Sequence, residues 1–270
     1  MSDDAALVDT LESVWSSLAD LGATLSEREW MTDTECPGWT VQDNFAHVIG
    51  IEAITLGRPN PDHVPPGGPH VKNEVGEGNE VWVDWYRARS GAEVLVDFRA
   101  ITEERISGLR IAGYDFGTET WTPIGPGTVR DLLPFRVFDS WVHEQDVRRA
   151  LVRPGDVATA GAALSLDRIE GVMPMVVGKK VAPPDGTVVA FTVSGPVGRA
   201  FAIEVAGRRA GFLDSVPAAP TAHLAMATDT FLRLASGRGD PESILAAGDV
   251  TLTGDPALGR AVAEQMNFLF

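Results

Sequence analysis

The stretch Arg136-Val-Phe-Asp-Ser-Trp-Val-His-Glu-Gln-Asp-Val-Arg-Arg149 decides how this chain is organised. Its Asp139 and His143 are four residues apart in a helical pattern, so the two side chains leave the same face one turn apart. A carboxylate and an imidazole in that arrangement can bind one metal ion together. Two ligands do not complete a site, and we expect the third from another part of the chain.

His47, in a second helical pattern far upstream, is the predicted third ligand. Its neighbours are largely apolar, so a core histidine satisfied by one hydrogen bond is the alternative interpretation. Asp139 and His143 could likewise form a hydrogen-bonded pair on a helix surface. Because Phe138, Trp141 and Val142 flank this pair, part of the helix should be buried, and a buried carboxylate without a partner is costly. That cost favours a metal or a strong hydrogen bond.

Asp146 lies one turn beyond His143 on the same helical pattern. Two interpretations remain open for it. It can act as an outer-shell partner that orients the second ring nitrogen of His143, or it can form an ion pair with Arg149.

Charge and composition exclude several classes of function. The chain has 270 residues and a formal net charge of −16, which disfavours nucleic acid and anionic membranes as partners. It has no apolar run long enough to span a bilayer and no signal-peptide pattern. The single cysteine, Cys36, fits a reducing compartment. We expect a cytoplasmic protein, monomeric or homodimeric, that acts on a small molecule.

The first part of the chain has the pattern of a helical bundle. An amphipathic helix ends at Gly22, and Thr40 with Asp43 and Thr128 with Asp131 resemble capping boxes that begin two more. A further helical region over 79–109 is interrupted near residue 90, and residues 58–78 and 113–127 are predicted to be loops. Residues 1–155 are therefore predicted to form a four-helix bundle.

The second part alternates in the manner of strands. Strands are predicted over 187–193, 201–205, 221–227 and 250–253, with Thr228 capping a helix and a closing helix from Pro256. Residues 182–270 are predicted to form a smaller α+β domain with a mostly antiparallel sheet. Residues 156–181 form the linker and one more helix.

The remaining candidates are weaker. Cys36 precedes Pro-Gly with no histidine adjacent in sequence, so a small packed residue is favoured over a nucleophile. His63 and His70 are loop histidines, and His223 is predicted to be structural. The chain has no Ser-His-Asp arrangement, zinc-finger spacing or dinucleotide motif, so the case for catalysis rests on one candidate metal site.

Two motifs carry a resemblance to a known family. Cys36-Pro-Gly-Trp-Thr-Val-Gln-Asp43 with Ala46-His-Val-Ile-Gly50, followed by Asp139-Ser-Trp-Val-His-Glu-Gln-Asp146, resembles the mycothiol-dependent maleylpyruvate isomerase family of DinB-like metalloenzymes. The segments 230–238 and 248–256 are similar to the sterol-carrier-like domain appended in that family. The alanine- and glycine-rich composition suits an actinobacterial source, where mycothiol is the principal small thiol.

The resemblance implies a divalent metal, usually zinc with nickel or iron as alternatives, held by His47, Asp139 and His143, with mycothiol as co-substrate. One departure is visible: the family is expected to carry Glu where this chain has Asp139, so the carboxylate is retracted by about one methylene.

The predicted function is that of a metal-dependent enzyme using a low-molecular-weight thiol as nucleophile on a small electrophile, as isomerase or thiol transferase. Two alternatives stay open. A metal-dependent hydrolase or oxygenase would use the same three ligands. A non-catalytic protein would instead bind a lipid-like molecule in its C-terminal domain.

Overall fold

The N-terminal part of the chain is helical with one short hairpin. The computed structural model describes residues 3–207 and 209–269. The elements up to residue 150 are α1 (Asp3–Gly22), α2 (Glu27–Trp30), α3 (Val41–Thr55), α4 (Glu74–Tyr86), α5 (Gly91–Leu109), β1 (Glu119–Thr122), β2 (Gly125–Thr128) and α6 (Val129–Ala150).

Helix α3 lies at the centre of this unit and packs against α4, α5 and α6. Helix α1 completes the bundle by packing against α5 and α6, with Leu11, Trp15 and Leu18 on its buried face. Twelve of the fifteen residues of α3 are buried, and several of these are polar. A central helix with a polar interior face can supply functional side chains away from bulk water.

Both predicted capping boxes are present. The hydroxyl of Thr40 accepts a hydrogen bond from the backbone N–H of Asp43, and Thr128 does the same with Asp131. These caps satisfy backbone donors that the first turn leaves unpaired, and so fix where α3 and α6 begin. The two helices that carry the candidate ligands therefore start at positions set by local sequence.

Two loop predictions in this part are wrong. Residues 119–128 form an antiparallel hairpin in which Thr122 pairs with Gly125. The glycines and prolines of the segment argue against strands, but Gly125 adopts φ +116°, which allows the chain to reverse tightly there. The loop predicted over 58–78 is also shorter, because Asn73 caps a helix that begins at Glu74.

The C-terminal part combines helices with one sheet. Its elements are α7 (Ala160–Met175), a π-helical segment (Val176–Val181), β3 (Val188–Ser194), β4 (Arg199–Ala206), β5 (Arg209–Phe212), β6 (Ala222–Ala227), α8 (Thr228–Ala235), α9 (Pro241–Ala246), β7 (Val250–Gly254) and α10 (Pro256–Gln265). The chain divides into two compact units between residues 165 and 166, inside α7. This division falls within the predicted linker, whose own limits stay a prediction.

The five strands are ordered β5-β4-β3-β6-β7, and every neighbouring pair is antiparallel except β3 and β6. The predicted helical region followed by a mostly antiparallel α+β domain is thereby confirmed. Phe191, Phe201 and Phe231 form the centre of the sheet's core, with the first two rings stacked at 4.8 Å. Thr228 does not cap α8 as predicted: Ala227 is the N-cap, and the Thr228 hydroxyl donates to the carbonyl of Ser194.

Among the described residues, no helix combines the length and apolar character needed to cross a lipid bilayer.

Candidate metal centre

The structure brings His47, Asp139 and His143 together. One potential ligand atom from each residue lies within 4.8 Å of the other two. Nε2 of His47 is 3.3 Å from both carboxylate oxygens of Asp139, and Nε2 of His143 is 3.7 Å from Oδ1 of the same carboxylate. Helix α3 supplies the first of these residues and α6 the other two.

The three side chains differ in exposure. The side chains of His47 and His143 are 5% and 8% exposed, whereas that of Asp139 is 30% exposed. The cluster therefore meets solvent on the carboxylate side and is closed on the imidazole side.

Charge and burial set the protonation of two members. Burial alone would raise the pKa of Asp139, but His47 and Arg136 outweigh it and hold that pKa well below its usual value. Burial lowers the pKa of His47, because the interior disfavours a charged ring, and Asp139 opposes this only partly. An ionised carboxylate and a neutral imidazole are the states in which these groups bind metals.

Arg136 fixes one oxygen of the Asp139 carboxylate. Its Nη1 donates to Oδ2 at 2.9 Å, and its Nε donates to Oε1 of the buried Glu52 at 2.6 Å. Arg105 contacts the other oxygen of Glu52 at 3.4 Å. Arg105, Glu52 and Arg136 form a buried row of charges that ends at the partly exposed Asp139. The contact with Arg136 leaves Oδ1 of Asp139 as the oxygen that faces both histidines.

The second ring nitrogen of His143 has a partner that the sequence patterns did not indicate. Its Nδ1 lies 2.7 Å from the amide oxygen of Asn44, on α3. The predicted candidate, Asp146, is fully buried and lies farther away, with Oδ2 3.5 Å from the same nitrogen. Its Oδ1 accepts a hydrogen bond from Arg149 at 2.5 Å, so the alternative ion pair is present as well.

Trp39 covers the imidazole side of the cluster. Its ring centroid is 5.0 Å from that of His47 and 5.5 Å from that of His143. The indole N–H donates to Oε1 of buried Glu80 at 2.6 Å, and His70 contacts the same oxygen at 2.9 Å. A loop histidine thus helps to hold the carboxylate that orients the indole.

A second group of potential ligands overlaps the first. Cys36, His143 and Asp146 also have one ligand atom each within 4.8 Å of the others, and all three are buried. The sequence argument against Cys36 was that no histidine is adjacent to it. In the fold, His143 lies next to it and belongs to both groups.

The donor set of the first group fits a divalent cation. Two ligand atoms that are each about 2.1 Å from one tetrahedral ion lie about 3.4 Å apart. The separations of 3.3 Å and 3.7 Å between the nitrogens and Asp139 are close to this value. Two imidazoles with one carboxylate also match the donors that zinc and related metals take in catalytic sites, where other positions stay open.

Other residues singled out in the sequence lie apart from this cluster. His63 pairs with Asp84 at 2.6 Å, and His223 contacts the hydroxyl of Thr192 at 2.9 Å within the sheet.

Family models match most of the chain. The model described as mycothiol maleylpyruvate isomerase N-terminal domain matches residues 11–148, and the corresponding C-terminal domain model matches residues 163–259. The first match contains both helices of the metal cluster. No curated protein matches the chain.

Solved structures share the fold at low sequence identity. A crystal structure of the mycothiol-dependent maleylpyruvate isomerase is 15% identical over 93% of this chain and 92% of its own, with a TM-score of 0.57. A histidine-to-alanine mutant of that enzyme is 14% identical over the same shares, with a TM-score of 0.52. A sterol carrier protein 2-like structure from Aedes aegypti, 17% identical, covers 37% of this chain and 95% of its own. Its TM-score of 0.30 is too low to support an argument, and the sterol-carrier likeness stays a prediction.

Proposed function

The chain belongs to the mycothiol maleylpyruvate isomerase family, and from this premise we propose that it is a metal-dependent enzyme. Its nucleophile is a low-molecular-weight thiol, mycothiol, and its substrate is a small electrophile. The observation that carries the proposal is the cluster of His47, Asp139 and His143, whose ligand atoms lie within 4.8 Å of one another.

His47, Asp139 and His143 would hold the metal, with zinc as the expected ion and nickel or iron as alternatives. A bound divalent cation would lower the pKa of a thiol so that the thiolate is present at neutral pH. The surroundings favour the forms that bind a metal: burial lowers the pKa of His47, and the charge of Arg136 helps to hold the pKa of Asp139 well below its usual value.

The surroundings of the cluster favour a reaction at its carboxylate side. Trp39 packs over both imidazoles, whose side chains are buried. The Asp139 side chain is 30% exposed, which supports entry of thiol and substrate from this side. Addition of the thiol to a double bond, rotation and elimination give isomerisation, whereas addition without elimination gives a thiol conjugate.

Metal content tests the cluster directly. We expect about one zinc, nickel or iron per chain by inductively coupled plasma mass spectrometry, lost in His47→Ala and in His143→Ala. His223→Ala is the matched control, because His223 bonds to Thr192 in the other unit. Retention of metal in both cluster variants, or no metal in the wild type after reconstitution, would refute the proposed site.

Turnover assays test the chemistry. The metal-loaded protein should consume an electrophile such as maleylpyruvate only when mycothiol is present. Turnover without thiol would favour a hydrolase, and turnover that needs oxygen would favour an oxygenase. A metal-free protein that co-purifies with an apolar ligand would instead favour the lipid-like binding function.

A further inference from the structure

We propose that Asn44 is a positioning residue that decides which nitrogen of His143 binds the metal, and thereby which of the two overlapping ligand groups forms. This inference rests on the proposed metal site. The first group contains His47, Asp139 and His143, and the second contains Cys36, His143 and Asp146. Nε2 of His143 is the nitrogen nearer Asp139 of the first group, and Nδ1 is the nitrogen nearer Asp146 of the second.

The orientation of the Asn44 amide is fixed by its other contacts. Its Nδ2 donates to the carbonyl of Thr40 at 2.8 Å and to the hydroxyl of Thr34 at 3.3 Å. If the amide oxygen and nitrogen were exchanged, the NH₂ group would face Nδ1 of His143. The amide oxygen would then face the carbonyl oxygen of Thr40, and the hydrogen bond to that carbonyl would be lost. Oδ1 is therefore the atom that faces Nδ1 of His143, at 2.7 Å.

An amide oxygen can only accept a hydrogen bond, so the contact with Asn44 requires the proton of the His143 ring to be on Nδ1. Nε2 then carries the lone pair, and it lies on the side of Asp139, 3.7 Å from Oδ1. A nitrogen lone pair and a carboxylate oxygen repel each other unless a cation lies between them. The tautomer that Asn44 selects is therefore the one that presents the imidazole to the first group.

The second group loses its imidazole for the same reason. Nδ1 is the nitrogen near Asp146, whose Oδ2 lies 3.5 Å away, and a protonated nitrogen cannot bind a metal. Thr34 strengthens the arrangement, since its hydroxyl accepts from Asn44 and also from the backbone N–H of Cys36 at 3.2 Å. The hydroxyl of Thr34 therefore links the turn that contains Cys36 to the Asn44 amide that contacts His143.

The two histidines of the first group are supported differently. Within the described part of the chain, the buried Nδ1 of His47 has no hydrogen-bond partner. The ring of His47 is placed by its helix and by packing against Trp39. Asn44 lies one turn before His47 on α3, so one helix provides a ligand and also the residue that orients another ligand from α6.

The tautomer of His143 can be measured without any metal. Nitrogen–proton correlation spectra of the metal-free wild type should show a proton on Nδ1 of His143. A ring that carries its only proton on Nε2 would overturn the proposal. Since no metal takes part, the result stands even if the proposed function fails.

Cobalt binding tests which ligand group forms. Wild-type protein loaded with Co²⁺ should show no thiolate-to-cobalt charge-transfer absorption, because Cys36 is not a ligand. Asn44→Leu removes the amide oxygen that accepts from Nδ1 of His143, and we expect about 10- to 100-fold weaker Co²⁺ binding. We also expect the charge-transfer band to appear in this variant and to disappear when Cys36→Ser is added.

Gln42→Leu is the matched control for loss of a buried amide on α3. Gln42 donates to the carbonyls of Tyr86 and Arg89 and not to the cluster, so this variant should keep wild-type cobalt affinity. Unchanged affinity and spectrum in Asn44→Leu would overturn the inference while leaving the metal site intact. A wild type that shows the thiolate band would also overturn it.

Discussion

The two units of the chain differ in what they bury. The N-terminal unit encloses many charged groups, among them Glu52, Glu80, Arg105, Arg136 and Asp146. The described interior of the C-terminal unit is apolar apart from a few hydroxyl side chains and one arginine: Thr187, Thr228, Thr230, Ser236 and Arg238. Buried charges reduce stability unless they are paired, and an apolar core does not carry that cost. The charges are concentrated in the unit that holds the candidate metal ligands, which is where function most often requires them.

The first test of this difference in buried charge removes Glu52, which lies between Arg105 and Arg136 in the buried row of charges. Glu52→Ala leaves the guanidinium groups of Arg105 and Arg136 without their shared partner in the interior. We expect the free energy of unfolding of the N-terminal unit to fall by about 3–5 kcal/mol. Urea titration followed by tryptophan fluorescence reports on this unit alone, because all seven tryptophans lie between residues 15 and 141.

Glu104→Ala is the control for that variant. Glu104 pairs with Arg58 on the surface, where both side chains are about half exposed. Removing an exposed partner should change the free energy of unfolding by no more than about 1 kcal/mol. Equal effects of the two substitutions would show that the buried row has no special role.

The second way is to remove apolar volume from the other unit. Leu224 is fully buried on β6, beside Phe191 of β3. Leu224→Ala should lower the free energy of unfolding of the C-terminal unit by about 2–5 kcal/mol, measured by circular dichroism because that unit has no tryptophan. Metal affinity should stay at the wild-type value, and its loss would contradict the separation of roles between the units.

The third test uses pH. Burial raises the pKa of Glu144 to about 7, although Ser17 and Arg148 both act to lower it. In the folded state Glu144 therefore holds a proton that the unfolded chain releases near pH 4.5. The stability that this proton contributes is present at low pH and is lost as pH rises from about 4.5 to 7. We expect a loss of up to about 3 kcal/mol across this window, absent in Glu144→Gln, by urea titration of the metal-free protein at several pH values. A flat profile in the wild type would contradict the raised pKa.

The smallest effect is expected at a helix start. Thr128→Ala removes the hydroxyl that accepts from the backbone N–H of Asp131 and should lower the free energy of unfolding by about 1 kcal/mol. Metal affinity should not change, because the cap lies near the start of α6, more than two turns before Asp139. Thr128→Ser keeps the hydroxyl and serves as the control. A change in metal content in the alanine variant would show that the ligand positions depend on this cap.

Local patterns account for the features that the sequence predicted correctly. Both capping boxes depend on residues three apart, and Asp139 and His143 share a face because of helical periodicity. The proximity of His47 to this pair was expected from the family resemblance as well, since periodicity alone does not identify which helices meet.

Features that depend on contacts between distant residues were missed. Asn44 shows no spacing that indicates a role, because its partner His143 is 99 residues away. The neighbourhood of Cys36 and His143 is invisible in sequence for the same reason. The hairpin at 119–128 is a local exception: its glycines and prolines disfavour strands and predict a loop, yet pairing of its two arms outweighs that preference. A sequence motif that included Asn44 together with His47 would have indicated Asn44 as the residue that contacts His143.

The parallel pairing of β3 with β6 has a consequence for synthesis of the protein. Strand β3 is central in the sheet, but its β6 neighbour emerges from the ribosome only after β4 and β5 have been made. Until then one long side of a β3–β4–β5 meander, rich in valine and phenylalanine, has unpaired backbone groups that other chains can join. The C-terminal unit should therefore be the slower to fold and the part of the nascent chain that most needs a chaperone.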